Sequence, residues 1–96
     1  MPKYIALINW TEKGVQEVKS SPGRVDNARA LAASLGGEFQ QIFMTMGSYD
    51  LVAILEMPND DAAATFALKS AAGGHIRTTT LKAFDEADYR KIIGSL

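Results

Sequence analysis

Met44-Thr45-Met46-Gly47-Ser48-Tyr49-Asp50-Leu51-Val52-Ala53-Ile54-Leu55-Glu56-Met57 is the stretch that decides the fold of this chain. It reads as the end of one strand, a two-residue turn at Gly47-Ser48, and a long strand from Tyr49 to Met57. Glycine in the first place of a two-residue hairpin loop suits a type II′ turn, which needs positive φ there. The second strand is apolar on both sides: Leu51, Ala53 and Leu55 point one way, Val52 and Ile54 the other. An antiparallel strand with one wet face would alternate instead. This strand is therefore expected at the centre of a sheet, with a cover on each side.

The segment from Tyr4 to Trp10 has the same character, with Ile5 and Leu7 set against Ala6 and Ile8, and Asn9 interrupting the run near its end. Thr11 can cap a short helix reaching about Lys19, with Val15 and Val18 on one side. Pro22 lacks an N–H and suits the start of a new helix capped by Ser21, so the helical segment is expected to break there. Val25, Ala28, Leu31, Ala32 and Leu35 form the buried stripe of that second helix, and Gly36-Gly37 ends it. Glu38 to Met46 is the next strand.

Beyond Met57, Asn59 caps an alanine-rich helix whose inner side is Ala63, Phe66, Ala67 and Ala71. Asp60 and Asp61 complement its dipole. Gly73-Gly74 stops it. His75 to Phe84 is a fourth strand, and Asp85 caps a last helix with Tyr89, Ile92 and Ile93 as its apolar side. The order βαββαβ plus a C-terminal helix is the α+β, ferredoxin-like arrangement with a four-stranded antiparallel sheet. Right-handed crossovers give the spatial order 4-1-3-2, which puts the two doubly apolar strands in the middle. The helices cover one face only. A second copy, sheet against sheet in a homodimeric α/β barrel, is the natural cover for the other.

The 96 residues suit one domain, spanning positions 1–96. Ten basic and eleven acidic residues give a net charge of −1, which offers no electrostatic case for nucleic acid or an anionic membrane. Without cysteine there is no disulfide, thiolate metal site or cysteine nucleophile, and with His75 alone no multi-histidine metal site within one chain. Lys3 is followed by only a short apolar run, and no stretch approaches the roughly 20 residues of a membrane span. The expected compartment is the cytoplasm, and no cofactor is expected. No nucleophile with an adjacent base and no phosphate loop is present.

Three segments carry a family resemblance: Ile8-Asn9-Trp10-Thr11, Gly47-Ser48-Tyr49-Asp50-Leu51-Val52, and Ile76 to Phe84 with its Arg77-Thr78-Thr79-Thr80 run. The chain resembles the GYD-domain family over nearly its whole length, with Gly47, Tyr49 and Asp50 as the residues that name it. The resemblance implies the dimeric α/β barrel fold and no general activity. The architecture is also similar to the RAM ligand-sensing domain of leucine-responsive and asparagine-type regulators, which implies small effectors bound at subunit interfaces. The helix-turn-helix of such regulators has no counterpart here. Cofactor-free monooxygenases share the barrel and tend to place His, Asn or Trp near the substrate, a pattern that Asn9, Trp10 and His75 match only loosely.

The expected topology gathers Asn9, Trp10, Met44, Met46, Tyr49, Asp50, His75 and Arg77 at one end of the sheet. If Asp50 and Arg77 both lie opposite Asn9, then Asn9, Asp50, Arg77 and Thr79 project from one face. They would form the floor of a polar pocket on the dimer-facing side, flanked by Trp10 and Tyr49, with Asp50 orienting Arg77 toward an acidic or carbonyl group. A structural Asp50–Arg77 pair is the plainer alternative. The sequence thus points to a small-molecule-binding or sensing module acting as a homo-oligomer. A cofactor-independent monooxygenase or isomerase and a purely structural oligomer remain as alternatives.

Overall fold

The computed structural model describes residues 1–96. Its elements are β1 (Lys3–Trp10), α1 (Glu12–Gln16), a 3-10 turn (Val18–Ser20), α2 (Ser21–Ser34), β2 (Glu38–Met44), β3 (Leu51–Glu56), α3 (Asp60–Ala71), β4 (Ile76–Ala83) and α4 (Glu86–Gly94). The strands form one antiparallel sheet in the order β2-β3-β1-β4, as the sequence predicts for a ferredoxin-like chain.

Alternation sorts the two central strands by face. Tyr4, Ala6 and Ile8 of β1 and Leu51, Ala53 and Leu55 of β3 are buried with Ala32 of α2, Ala63 and Phe66 of α3, Phe39 and Met57. Val25, Ala28, Leu31 and Leu35 of α2 pack against that cluster, so the expected stripe is the inner side of the helix. Ile5, Leu7, Val52 and Ile54 point to the opposite face, which no helix covers. Cross-strand pairing adds Phe43 through Val52 and Leu81 through Ile5; these two side chains are 51% and 46% exposed.

The helix starts follow their caps. The Thr11 hydroxyl accepts from the Gly14 N–H, the Asn59 side chain from Ala62, and the Asp85 carboxylate from Asp88. The chain does break near Pro22, but Ser20 is the residue that precedes α2 and Ser21 is already helical. In α1 the buried residue is Gly14, whereas Val15, and Val18 of the 3-10 turn that follows, are exposed. The reason is steric. A Cβ at Gly14 would stand 2.0 Å from the His75 carbonyl oxygen, so only glycine lets α1 lie this close to the start of β4.

The β2–β3 connection is longer than a two-residue turn. β2 ends at Met44, β3 begins at Leu51, and Thr45 N–H donates to the Asp50 carbonyl at 2.8 Å to close the loop. Gly47 keeps its positive φ, at 125°. The two-residue reading fails because Asp50 is drawn toward β1: its N–H donates to the Ile8 carbonyl, and its carboxylate accepts from the Trp10 N–H.

The apolar side of α4 is left about half exposed. Tyr89, Ile92 and Ile93 are 57%, 45% and 52% exposed, and the helix makes no sustained contact with any other element. The chain is correspondingly long, 49 × 31 × 17 Å, with a radius of gyration of 14.2 Å against about 13 Å for a compact chain near this length.

Near the start of β1 Tyr4, 3% exposed, donates its hydroxyl to Asp60, which also pairs with Lys82 at 3.2 Å. Burial, and then the neighbouring carboxylate, push the Tyr4 phenol up to about 12, while the Tyr4 and Lys82 hydrogen bonds hold the Asp60 carboxyl below its usual range. A raised phenol pKa favours the folded state below the unfolded value near 10, and that contribution is lost between about pH 10 and 12. Denaturant titrations across this window should show stability falling by about 2–3 kcal/mol more in the native chain than in Tyr4→Phe. Equal slopes in the two proteins would show that Tyr4 carries no such linkage.

Candidate functional site

Small residues open a cavity on the helical side of the sheet. α2 lies over β2 and α3 over β4, which leaves the centre of the sheet beneath the gap between the helices. Ala6 and Ala53 are paired across β1 and β3 there, and the helices bring Ala28 and Ala67 to the same space. Four alanines facing one another leave a cavity of about 250 Å³. Ile8 and Leu51 continue its floor, Phe39, Ile42 and Phe66 its walls. The Ala6↔Thr80 and Ile8↔Thr78 pairings turn Thr78 and Thr80 to this side.

The polar groups collect at one end. Ser21 and Arg24 come from the first turn of α2, Lys69 and Ser70 from the last turns of α3, and His75 precedes β4. His75 Nε2 lies 3.3 Å from the Glu17 carboxylate. Arg24 Nη1 donates to the Glu17 carbonyl at 3.3 Å. Arg24 Nη2 and Ser70 Oγ are shielded from solvent and meet no hydrogen-bond partner in the chain. An apolar concavity with a few convergent polar groups is the usual form of a small-molecule site.

The residues singled out from the sequence divide between the two faces. Asn9 is paired with Arg77 and Leu7 with Thr79, so Asn9, Arg77 and Thr79 share the open face. Trp10 packs against the core on the helical face, and its indole N–H is buried without a partner. Asp50 accepts from the Trp10 backbone N–H at 2.9 Å and forms no ion pair with Arg77; the ion pairs of the chain are His75–Glu17, Lys82–Asp60 and Arg90–Glu86. The Asp50–Arg77 pair expected from the sequence is thus absent, because the carboxylate continues the β1 ladder instead. Tyr49 presents its carbonyl to the Thr45 hydroxyl at 2.5 Å.

Arg24 and Ser70 were missed, though each left a signal. Arg24 stands three residues after Ser21, four before Ala28 and seven before Leu31, on the inner stripe of α2. Ser70 continues the Ala63-Phe66-Ala67 stripe in the same way. A charge and a hydroxyl on otherwise apolar stripes are exceptions worth pursuing.

The pattern of the GYD domain matches residues 4–93. The chain belongs to the GYD-domain family. This GYD domain is 28% identical, over 92% of its own length and 94% of the other's, to a Thermus thermophilus protein called glutamine synthetase and cystathionine β-lyase binding protein. Its fold is similar to that of AldR of Mycobacterium tuberculosis, with a TM-score of 0.69 and 9% identity over 88% of this chain and 52% of the other. The leucine response regulatory protein LrpA of the same organism gives a TM-score of 0.58 and 13% identity, over 88% and 51%. The domain spans about half the length of these two regulators. No helix is long and apolar enough to cross a membrane.

The name-giving aspartate has a structural task that can be measured. Asp50→Ala leaves the part-buried Trp10 N–H without its charged acceptor, and the expected loss of stability is about 1–3 kcal/mol. Asp50→Asn keeps an acceptor oxygen and should recover much of that loss in the same thermal melts. Equal melting temperatures for Asp50→Ala and the native chain would refute this role.

Proposed function

We propose that this GYD domain is a small-molecule-binding or sensing module that acts as a homo-oligomer, with the cavity between α2, α3 and the sheet as its binding site. The cavity is the observation that carries the reading: about 250 Å³ of mostly apolar space, bounded at one end by polar groups without partners. The similarity to the RAM ligand-sensing domain supports the sensing role; the place of the site rests on the cavity alone. A screen of small apolar compounds by thermal shift tests it. A ligand at 100 times its Kd adds about 2.7 kcal/mol, on the order of 10 °C in Tm for a domain this small. Ala28→Leu fills the cavity from α2 and should remove the shift while leaving the fold and its own Tm close to native. A shift that survives this substitution would place the ligand elsewhere.

Self-association is supported by the open face of the sheet. Ile5, Leu7, Val52, Ile54, Phe43 and Leu81 form one apolar surface there, and α4 offers a second. In a dimer built on the open face, Asn9, Arg77 and Thr79 would lie at its border and could add a polar contact to a ligand or to the partner. The buried area should be at the obligate end, roughly 1,500 Å² or more in total. The Thermus relative's name describes binding to two enzymes, and the exposed side of α4 would serve such a contact too. Sedimentation velocity, alone and with purified glutamine synthetase, separates these roles. A dimer or larger species at micromolar concentration is expected, and a stable monomer would refute the oligomer. Co-sedimentation with the enzyme would favour the adaptor role.

A further inference from the structure

The charge of the cavity lining is one-sided. Arg24 and Lys69 stand on its wall, and no aspartate or glutamate does. The chain as a whole is close to neutral, with eleven acidic residues against ten basic, so the one-sidedness is local. His75 is faced by Glu17, but Arg24 and Lys69 have no acidic partner anywhere in the fold. Arg24 does more than sit at the rim. Its Nη1 is held by the Glu17 carbonyl, which fixes the guanidinium, and its Nη2 is shielded from solvent with no acceptor to meet. Ser70 Oγ, from the facing helix, is in the same state.

A guanidinium donor kept out of water and left without an acceptor is unfavourable unless something completes it. The planar fork of an arginine is suited to a carboxylate, which can take two parallel N–H bonds. The positive end of the α2 dipole lies in the same turn and has the same preference. The rest of the lining is mostly alanine, valine, isoleucine, leucine and phenylalanine, with the uncharged Ser21, Asn27, Thr78 and Thr80 among them, which favours a largely apolar body and disfavours a second charge.

We infer that the cavity takes a small organic anion, a carboxylate on a compact apolar body, and that Arg24 and Ser70, on its wall, turn their shielded donors to hold the carboxylate. Lys69, exposed at the rim, attracts the anion without fixing it. The inference rests on the cavity being the ligand site. It adds the charge of the ligand and the residue that reads it.

Three probes of one shape test it: 3-phenylpropionate, its neutral amide and 3-phenylpropylamine, titrated into the full chain by calorimetry and by NMR of the backbone amides. The expected order is acid over amide by at least tenfold, with no binding of the amine. Arg24→Gln should bring the acid down to the affinity of the amide and leave the amide unchanged. Arg24→Lys, which keeps the charge and loses the fork, should fall between. Equal binding of acid and amide by the native chain would overturn the inference while leaving the cavity as the site. This comparison needs no variant, so it stands even if Arg24→Gln fails to fold. Binding of neither probe would overturn the cavity reading together with the inference. Loss of both acid and amide binding in a folded Arg24→Gln would make Arg24 a part of the cavity wall and overturn its role as carboxylate reader.

Discussion

β1 and β3 need burial on both sides, and the chain has helices for one. That constraint orders the rest of the structure. The βαββαβ sequence of elements puts these two strands in the middle, paired from Lys3↔Glu56 to Ile8↔Leu51. Right-handed crossovers then send both helices to the same face. On that face the core closes around Leu55 and Met57, both essentially inaccessible to solvent. On the other, Ile5, Leu7, Val52 and Ile54 form a surface that gains its hydrophobic free energy only when another molecule covers it.

The same sheet supports two environments on its helical face, and residue size separates them. Toward Tyr4 and Leu55 the packing is tight, with Phe39 and Phe66 in tilted contact at 6.4 Å between ring centres. At mid-strand the Ala6–Ala53 pair and the alanines of α2 and α3 withdraw their side chains, and a cavity opens. Larger side chains there would close the space and add burial. The chain forgoes that stabilisation at the place where it also carries an arginine on an apolar stripe. Two departures from simple core building thus coincide at one place.

Asp50 shows how a family motif can be architectural. Its N–H, carbonyl and carboxylate are all engaged, with Ile8, Thr45 and Trp10. The loop from Thr45 to Asp50 is thereby fixed to the end of β1. That end carries Trp10 and leads through Thr11 into α1, where Gly14 meets the His75 carbonyl and Thr11 N–H donates to it at 2.9 Å. The polar end of the cavity is therefore braced by the motif without the motif lining it.

The strand order, the caps at Thr11, Asn59 and Asp85, the break near Pro22 and the stripe of α2 were legible in the sequence, because each depends on residues within a few positions of one another or on alternation along one strand. The shared face of Asn9, Arg77 and Thr79 followed from pairing as well. What the tertiary structure decided was the use of individual side chains. Asp50 met a backbone N–H from a distant strand in preference to Arg77, and Gly14 became the inward residue of α1 because a carbonyl lay against it. The cavity was out of reach for the same reason. Ala6, Ala28, Ala53 and Ala67 each read as ordinary core positions, and the void exists only because the fold aims all four at one point. Periodicity fixes which way a residue faces; only the assembled layers determine what it finds there.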